Sequence, residues 1–250
     1  MPPPAAPLRT AVLLAAGLGS RLRGGDFTGP KGLLPLGGQP LVARSLATLR
    51  AAGISHLVAV IGHRAGDYRD FFAHAWPAAT LVENPDYART GSMHSLFLAR
   101  AAVGAEDFLL VESDLIYEPH ALTALLTARP RAGLLLSGPT GQGDEVHTLA
   151  DAAGHLAQLT KTPPPGARSA GEFTGISRIS TELFARLCAH YAPRAALPNN
   201  YAYDDCLGDV ATGHAIPLVL VPGLAWGEVD NHVQLARAEK FLLPALAARA

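Results

Sequence analysis

Charged residues are scarce in this chain: Asp, Glu, Lys and Arg together make up 16% of its 250 residues. Neither sign prevails, because 20 basic side chains against 21 acidic ones leave a formal charge of -1. That balance removes the broad positive surface by which dedicated DNA- and RNA-binding domains are recognised. Cysteine is nearly absent. Cys188 and Cys206 are the two present; they cannot build a disulfide scaffold and fit a reducing compartment. No stretch approaches the roughly 18–20 unbroken apolar residues that a membrane-spanning helix needs. Residues 1–9 (MPPPAAPLR) lack the basic start and apolar run of a secretory signal and read as a disordered lead-in. A cytoplasmic location follows as the expectation.

What the chain has instead is 49% hydrophobic residues, 25 glycines and 20 prolines, enough apolar material for a sizeable core and abundant punctuation between elements. Short apolar runs such as Thr10–Ala16 and His56–Ile61 stop at glycine, as strands buried on both faces do. Between them, 40–52 has helical spacing through Leu41, Leu46 and Leu49. The alternation continues with a helix near 65–74, a strand at 80–83, a helix at 92–102 and a strand at 108–112. Such alternation predicts a doubly wound, mainly parallel sheet. From about Leu134 to residue 180 the segments shorten and Gly/Pro turns separate them, as in antiparallel hairpins. Helices resume at 181–190 and 204–212, a strand follows at 216–221, and the chain is helical from Asn231. The expected architecture is a Rossmann-like three-layer α/β/α unit with a mixed, mainly parallel sheet. It forms a single domain over 10–250, with a small antiparallel substrate-side subregion at about 134–180.

The densest chemical signal is residues 14–42, LAAGLGSRLRGGDFTGPKGLLPLGGQPLV. A strand running into a glycine-rich turn exposes backbone N–H groups without intervening side chains, which makes a cradle for phosphate oxygens. Arg21 and Lys31 add positive charge to that turn. No Gly-Lys-Ser/Thr closes it into a P-loop. Gly17 and Gly19 give only G-x-G, because Leu22 stands where a dinucleotide fingerprint needs its third glycine. A second signal is a pair of acids: Asp114 ends the apolar strand FLLVESD, and Asp230 lies in WGEVD. A carboxylate at the carboxyl end of such a strand faces the crevice where open α/β sheets bind ligands, and paired carboxylates suit Mg2+. Helix capping is the competing use of any single Asp in that position.

Residues 14–42 resemble the nucleotidyltransferase signature, in which L-A-A-G-x-G-x-R-L is followed by P-K-x-L-L-P-L-x-G-x-P-L. Members of that family move a nucleoside monophosphate from a triphosphate to a phosphorylated acceptor and release pyrophosphate. The resemblance implies that Gly17, Gly19 and Arg21 surround the triphosphate and that Lys31 stabilises charge as the bond breaks. It also implies that Asp114 and Asp230 hold Mg2+. Ala15, Ala16, Ser20, Gly91, Ser92 and Ser113 join the expected nucleotide contacts. The loop interior, residues 24–29, departs from the pattern of the sugar-nucleotide members.

The segments Thr90–Leu96 and Gly143–Val146, with Glu-Ser-Asp and Glu-Val-Asp, are similar to the cytidylyltransferases of phosphocholine and 2-aminoethylphosphonate, and nearer the phosphonate branch. The expected partners are therefore CTP and a small phosphonate or phosphate acceptor. Nucleic acid and membrane are not expected, and there is room for a homodimer. For the acceptor, Lys161 is the candidate cation, counted also among the catalytic residues with Arg21 and Lys31. Tyr201, Tyr203, Asp204, Asp205 and Trp226 are the candidates for holding an amine by ion pairing and cation–π contact, and Glu172 and Glu228 join the expected acceptor contacts. Plain alternatives stand beside these: Lys161 as a solvated turn residue, Asp204 as a helix cap, the aromatics as core. Phosphocholine or sugar 1-phosphate acceptors, and a nucleotide sensor without catalysis, are the rival functions. His spacing suits no zinc site, and no nucleophile elbow is present.

Overall fold

The computed structural model describes residues 7–19, 27–129, 132–196 and 198–249. Five apolar residues in a row follow Thr10 to form β1 (Thr10–Ala15), buried throughout. It lies between β4 (His56–Ile61) and β6 (Phe108–Glu112), parallel to both, with β5 (Thr80–Glu83) parallel to β4 at the edge. On the other side β11 (Gly171–Ile179) runs antiparallel to β6. Beyond it the sheet divides. β9 (His147–Ala150) and β10 (Leu156–Thr160) continue one branch as an antiparallel pair, and β8 (Gly133–Ser137) with its parallel neighbour β12 (Leu218–Val221) forms the other. Nine strands among the described residues thus make one mixed, mainly parallel sheet, the Rossmann-like architecture expected. Of residues 134–180, β8 and β11 are built into the sheet and β9–β10 extend its edge.

Alternation along each strand explains why both faces are covered. Val12, Leu14, Val58, Val60, Phe108 and Leu110 face one core, where α3 (Ser92–Leu98), α6 (Thr181–Tyr191) and α7 (Tyr203–Ala211) bring Met93, Leu96, Leu187 and Leu207. Ala11, Leu13, Leu57, Ala59, Leu109 and Val111 face the other. There α1 (Leu41–Ala51), α2 (Ala65–Ala75) and α5 (His120–Thr127) supply Leu46, Leu49, Tyr68, Phe72 and Leu122. The helix expected over 92–102 breaks at Ala99, and α4 (Arg100–Val103) completes it.

A third, smaller cluster positions the site. Leu34, Leu36, Leu41, Ile116, Val229 and Ala238 pack together. They join the segment after Lys31, which includes the hairpin β2–β3 (Pro35–Leu36, Gln39–Pro40), to a ribbon of β7 (Leu115–Tyr117) and β13 (Trp226–Glu228). The chain then closes through α8 (His232–Arg237), one π-helical stretch and α9 (Leu243–Ala247). No helix among the described residues is long and apolar enough to cross a membrane.

Candidate functional site

The carboxyl ends of β1 and β6 open into a cavity of about 340 Å3 whose lining runs from Leu14 to Gly19 and takes in Lys31, Asn84, Gly91, Ser92, Glu112, Ser113, Asp114 and Asp230. Of the expected phosphate turn, Ala15, Ala16, Gly17 and Gly19 are all in this wall. Ser20 and Arg21 lie outside the described residues. Gly19 adopts φ +58°, and a Cβ there would stand 3.1 Å from Cβ of Lys31, so the turn and the lysine are packed directly together. Lys31 opens a single 3-10 turn after Pro30. Tyr68 holds that turn from below: its buried hydroxyl accepts from the Gly32 N–H at 3.2 Å, and a side chain at Gly32 would meet that oxygen at 2.6 Å.

The two aspartates meet for a local reason. β6 ends in Glu112, Ser113 and Asp114, and β7 follows at once. β7 pairs antiparallel with β13, Leu115 opposite Glu228. The ladder then runs on by one bond, the Val229 N–H donating to the Asp114 carbonyl at 3.1 Å. Residues far apart in sequence are therefore held in adjacent register, with Asp114 and Asp230 at the mouth of the same cavity.

Lys31 is inserted between them. Its ammonium contacts the carboxylates of Asp114 and Asp230 and lies 3.5 Å from Glu228 Oε1. Burial by itself would lower the Lys31 ammonium, but Asp114, Glu228 and Asp230 outweigh burial and hold it above its ordinary value. Burial first, then the charge of Asp114, pushes Glu112 up to about 8. Burial, then Asp114 and Glu112, pushes Glu228 up to about 9.

Two overlapping groups of oxygen ligands result: Glu112, Asp114 and Glu228, and Asp144, Glu228 and Asp230. Within each group one carboxylate oxygen per residue falls within 4.8 Å of the others. Asp114 Oδ1 is buried and has no hydrogen-bond partner among the described residues. An orphaned carboxylate oxygen in an all-oxygen cluster that already attracts a cation is the donor set a hard divalent ion takes.

The opposite wall is polar and fixed. Asn84, 1% exposed, donates through Nδ2 to Thr90 Oγ1 at 3.1 Å and Ser95 Oγ at 3.0 Å, and its Oδ1 accepts from the Asp86 N–H. The start of α3 is not free to serve a ligand through all its amides. Gly91 donates to the Asn199 carbonyl and Met93 to that of Tyr201, while Ser92 Oγ accepts from the Tyr203 N–H. Gly91 and Ser92 still line the cavity. Ser113, also in its wall, is tied by its N–H to the Leu14 carbonyl.

The expected acceptor residues divide sharply. Asp204, Trp226 and Glu228 share with Glu112, Val146, Phe173 and Gly175 a small adjoining cavity of about 50 Å3. Lys161 is exposed in the turn after β10, and its charge is felt at Asp204. Three others have different employment. Glu172, buried, accepts from the Thr140 N–H and from Thr140 Oγ1 at 2.7 Å. Asp205 is exposed and its carboxylate accepts from the Ala202 N–H, capping α7. Tyr203 is 1% exposed and packs edge-on against Phe173 as core. Glu112, Asn84, Tyr68 and Asp144 were not expected. Glu112 stands two residues before Asp114 on one strand end, a spacing that puts both on the same side of the strand. Asn84 and Tyr68 carried no local signal, and Asp144 lies in the Gly143–Val146 segment with no role assigned to it there.

Residues 11–177 match the model of the MobA-like NTP transferase domain. A CMP-5'-(3-aminopropyl)phosphonate synthase of Streptomyces rubellomurinus is 32% identical over 92% of this chain; the match covers 38% of that protein, so the chain spans less than two fifths of its length. A 2-aminoethylphosphonate cytidylyltransferase of Lancefieldella rimae is 25% identical over 90% of both chains. The solved inositol-1-phosphate CTP transferase of T. maritima superposes with a TM-score of 0.79 at 18% identity, over 95% of this chain and 98% of that one, a likeness of fold.

Proposed function

The chain belongs to the MobA-like NTP transferase family, and from that premise we propose that it is a Mg2+-dependent cytidylyltransferase acting on a small aminoalkylphosphonate. CMP passes from CTP to a phosphonate oxygen, and pyrophosphate leaves. The observation that carries this reading is the meeting of Lys31, Asp114 and Asp230 in the wall of one cavity lined by a glycine turn, with Glu228 Oε1 3.5 Å from the Lys31 ammonium. The choice of CTP and of a phosphonate is supported by what the two relatives are named for.

Asp114 and Asp230, with Glu228 between them, are the residues that would hold Mg2+, and the ion when bound neutralises charge on the triphosphate. The rest is done by the chain. The Gly17–Gly19 turn offers backbone N–H groups to the phosphates, where no side chain stands in the way. Lys31 stays charged throughout the neutral range, so it brings a full positive charge to the phosphates as the bond to pyrophosphate breaks. Its position is fixed by Tyr68 through Gly32. A phosphonate oxygen is already ionised near neutral pH, and no base is required to activate it; catalysis is positioning plus charge compensation. Asp204, Glu112 and Glu228 line the neighbouring small cavity with carboxyl groups that an entering cation would draw into their ionised form, a place for an ammonium group with Trp226 beside it. Lys161, whose charge reaches Asp204, pairs with the acceptor's phosphonate. Residues 10–250 act as one domain, with the edge hairpin β9–β10 on the acceptor side.

The test is pyrophosphate release from CTP, UTP and dTTP with 2-aminoethylphosphonate, 3-aminopropylphosphonate, phosphocholine and a sugar 1-phosphate in turn. Turnover is expected with CTP and an aminoalkylphosphonate in the presence of Mg2+. Turnover confined to a sugar 1-phosphate, or turnover undiminished in EDTA, overturns it.

A further inference from the structure

Gln234 is a buried amide that the proposed chemistry does not use. It lies on the first turn of α8, 5% exposed, with its own N–H held by the Asn231 side chain at 3.0 Å. Its Oε1 accepts from the backbone N–H of Asp230 at 2.5 Å, and its Nε2 donates to Asp144 Oδ2 at 2.8 Å. The orientation of the amide is therefore decided by chemistry: the oxygen must face the N–H and the nitrogen must face the carboxylate.

Asp144 belongs to the segment between β8 and β9, which crosses over the acid cluster and is fastened there repeatedly. One turn beyond Gln234, Arg237 donates to the Thr140 and Gly141 carbonyls at 2.6 and 2.9 Å. The Glu228 N–H donates to Gln142 Oε1 at 3.4 Å, and Glu172 takes both Thr140 donors. Of these ties, the Gln234 amide is the one that grips Asp230 itself.

We propose that Gln234 is a positioning residue that sets Asp230 and the 138–146 segment in one register, so that the metal-binding carboxylate and the segment whose Val146 lines the small acceptor cavity move together. This rests on the reading of Asp230 as a metal ligand. A purely structural glutamine would be missed in melting temperature and nowhere else. A positioning glutamine must also alter the Mg2+ requirement and the acceptor KM, because both depend on the coupled parts.

Three variants are measured for melting temperature, Mg2+ concentration at half-maximal rate, and KM for each substrate. Gln234→Leu keeps the volume and loses both bonds; a tenfold or larger rise in the Mg2+ requirement and in acceptor KM is expected. Gln234→Glu still accepts from Asp230 but sets a carboxylate against Asp144, and is expected to fail in the same way. Gln234→Glu combined with Asp144→Asn reverses the bond's polarity, the new amide at position 144 now donating, and is expected to recover most of the loss in acceptor KM; the Mg2+ requirement is read from Gln234→Leu, because Asp144 is itself among the candidate ligands. This rescue stays informative if Gln234→Leu does not fold. Asp230→Asn serves as the control for the underlying reading and is expected to be inactive. If Asp230→Asn is active, the metal assignment falls. If it is inactive while Gln234→Leu keeps its Mg2+ requirement, or the double variant recovers stability alone, the positioning role falls and the metal assignment stands.

Discussion

Replacing Lys31 by Met removes a cation from contact with two carboxylates and from within 3.5 Å of a third, while keeping the volume of the chain's stem. Asp114 and Asp230 are about nine-tenths covered, so the charges cannot simply turn to water. Leaving a buried charge without its partner costs about 3–5 kcal/mol. Glu228 relieves part of this, because burial and its acidic neighbours already favour its protonated form near neutral pH, and the lower figure of about 3 kcal/mol applies. For a chain of this length each kcal/mol moves the melting temperature by about 2–4 °C. A fall of roughly 6–12 °C is therefore expected in EDTA. Mg2+ at about a hundred times its dissociation constant for the variant returns roughly 2.7 kcal/mol; the wild type, whose lysine competes for the same carboxylates, gains less, so the deficit should shrink. Activity is lost in either buffer. Differential scanning fluorimetry of wild type and Lys31→Met, each in EDTA and in excess Mg2+, reads both quantities. An equal deficit in the two buffers would refute the reasoning, because it would mean that the lysine and the divalent ion do not compensate the same charges.

The same cluster sets a pH dependence. Glu112 and Glu228 are raised to about 8 and about 9, so the folded protein binds more protons than the unfolded chain above the ordinary carboxylate range. Their contribution to stability is complete below the unfolded values near 4.5 and is lost as pH rises through about 8 to about 9. In EDTA the protein should melt at a lower temperature at pH 9 than at pH 6, and Mg2+ should narrow the gap; parallel curves in the two buffers count against the acidic cluster as its source. Gly91→Ala probes the far wall: a Cβ there would sit 2.3 Å from the Tyr201 carbonyl oxygen. The 199–201 segment must then move, costing about 1–3 kcal/mol together with a raised KM for CTP, and an unchanged KM would detach this wall from the nucleotide.

Legibility in the sequence followed the range of the forces involved. Strands such as His56–Ile61 and Phe108–Glu112 lie where expected, because a strand buried on both faces must be apolar at every position and must stop at a breaker. The convergence of Lys31, Asp114 and Asp230 on one cavity was legible because each sits in a dense local pattern. The ribbon of β7 and β13 was not, since three-residue strands carry no periodicity. Asn84 and Gln234 were invisible for a different reason. Their roles are set by which backbone groups happen to lie opposite them in the folded chain, and no neighbour in sequence announces that. Glu172 and Asp205 show the converse: acids in the right neighbourhood whose oxygens are claimed by Thr140 and Ala202.

The short ribbon also closes on itself a step further out, where the Glu118 N–H donates to the Ala225 carbonyl and Glu118 Oε1 accepts from the Ala225 N–H. It works as a clasp at the neck of a long excursion. The edge hairpin and the 138–146 segment both lie inside that excursion, and Gln234 ties the second of them back to Asp230. The hairpin β9–β10 at the sheet edge can be lengthened or exchanged for a new acceptor while the ribbon keeps the two carboxylates in register, which makes the hairpin the natural place to engineer a change of substrate.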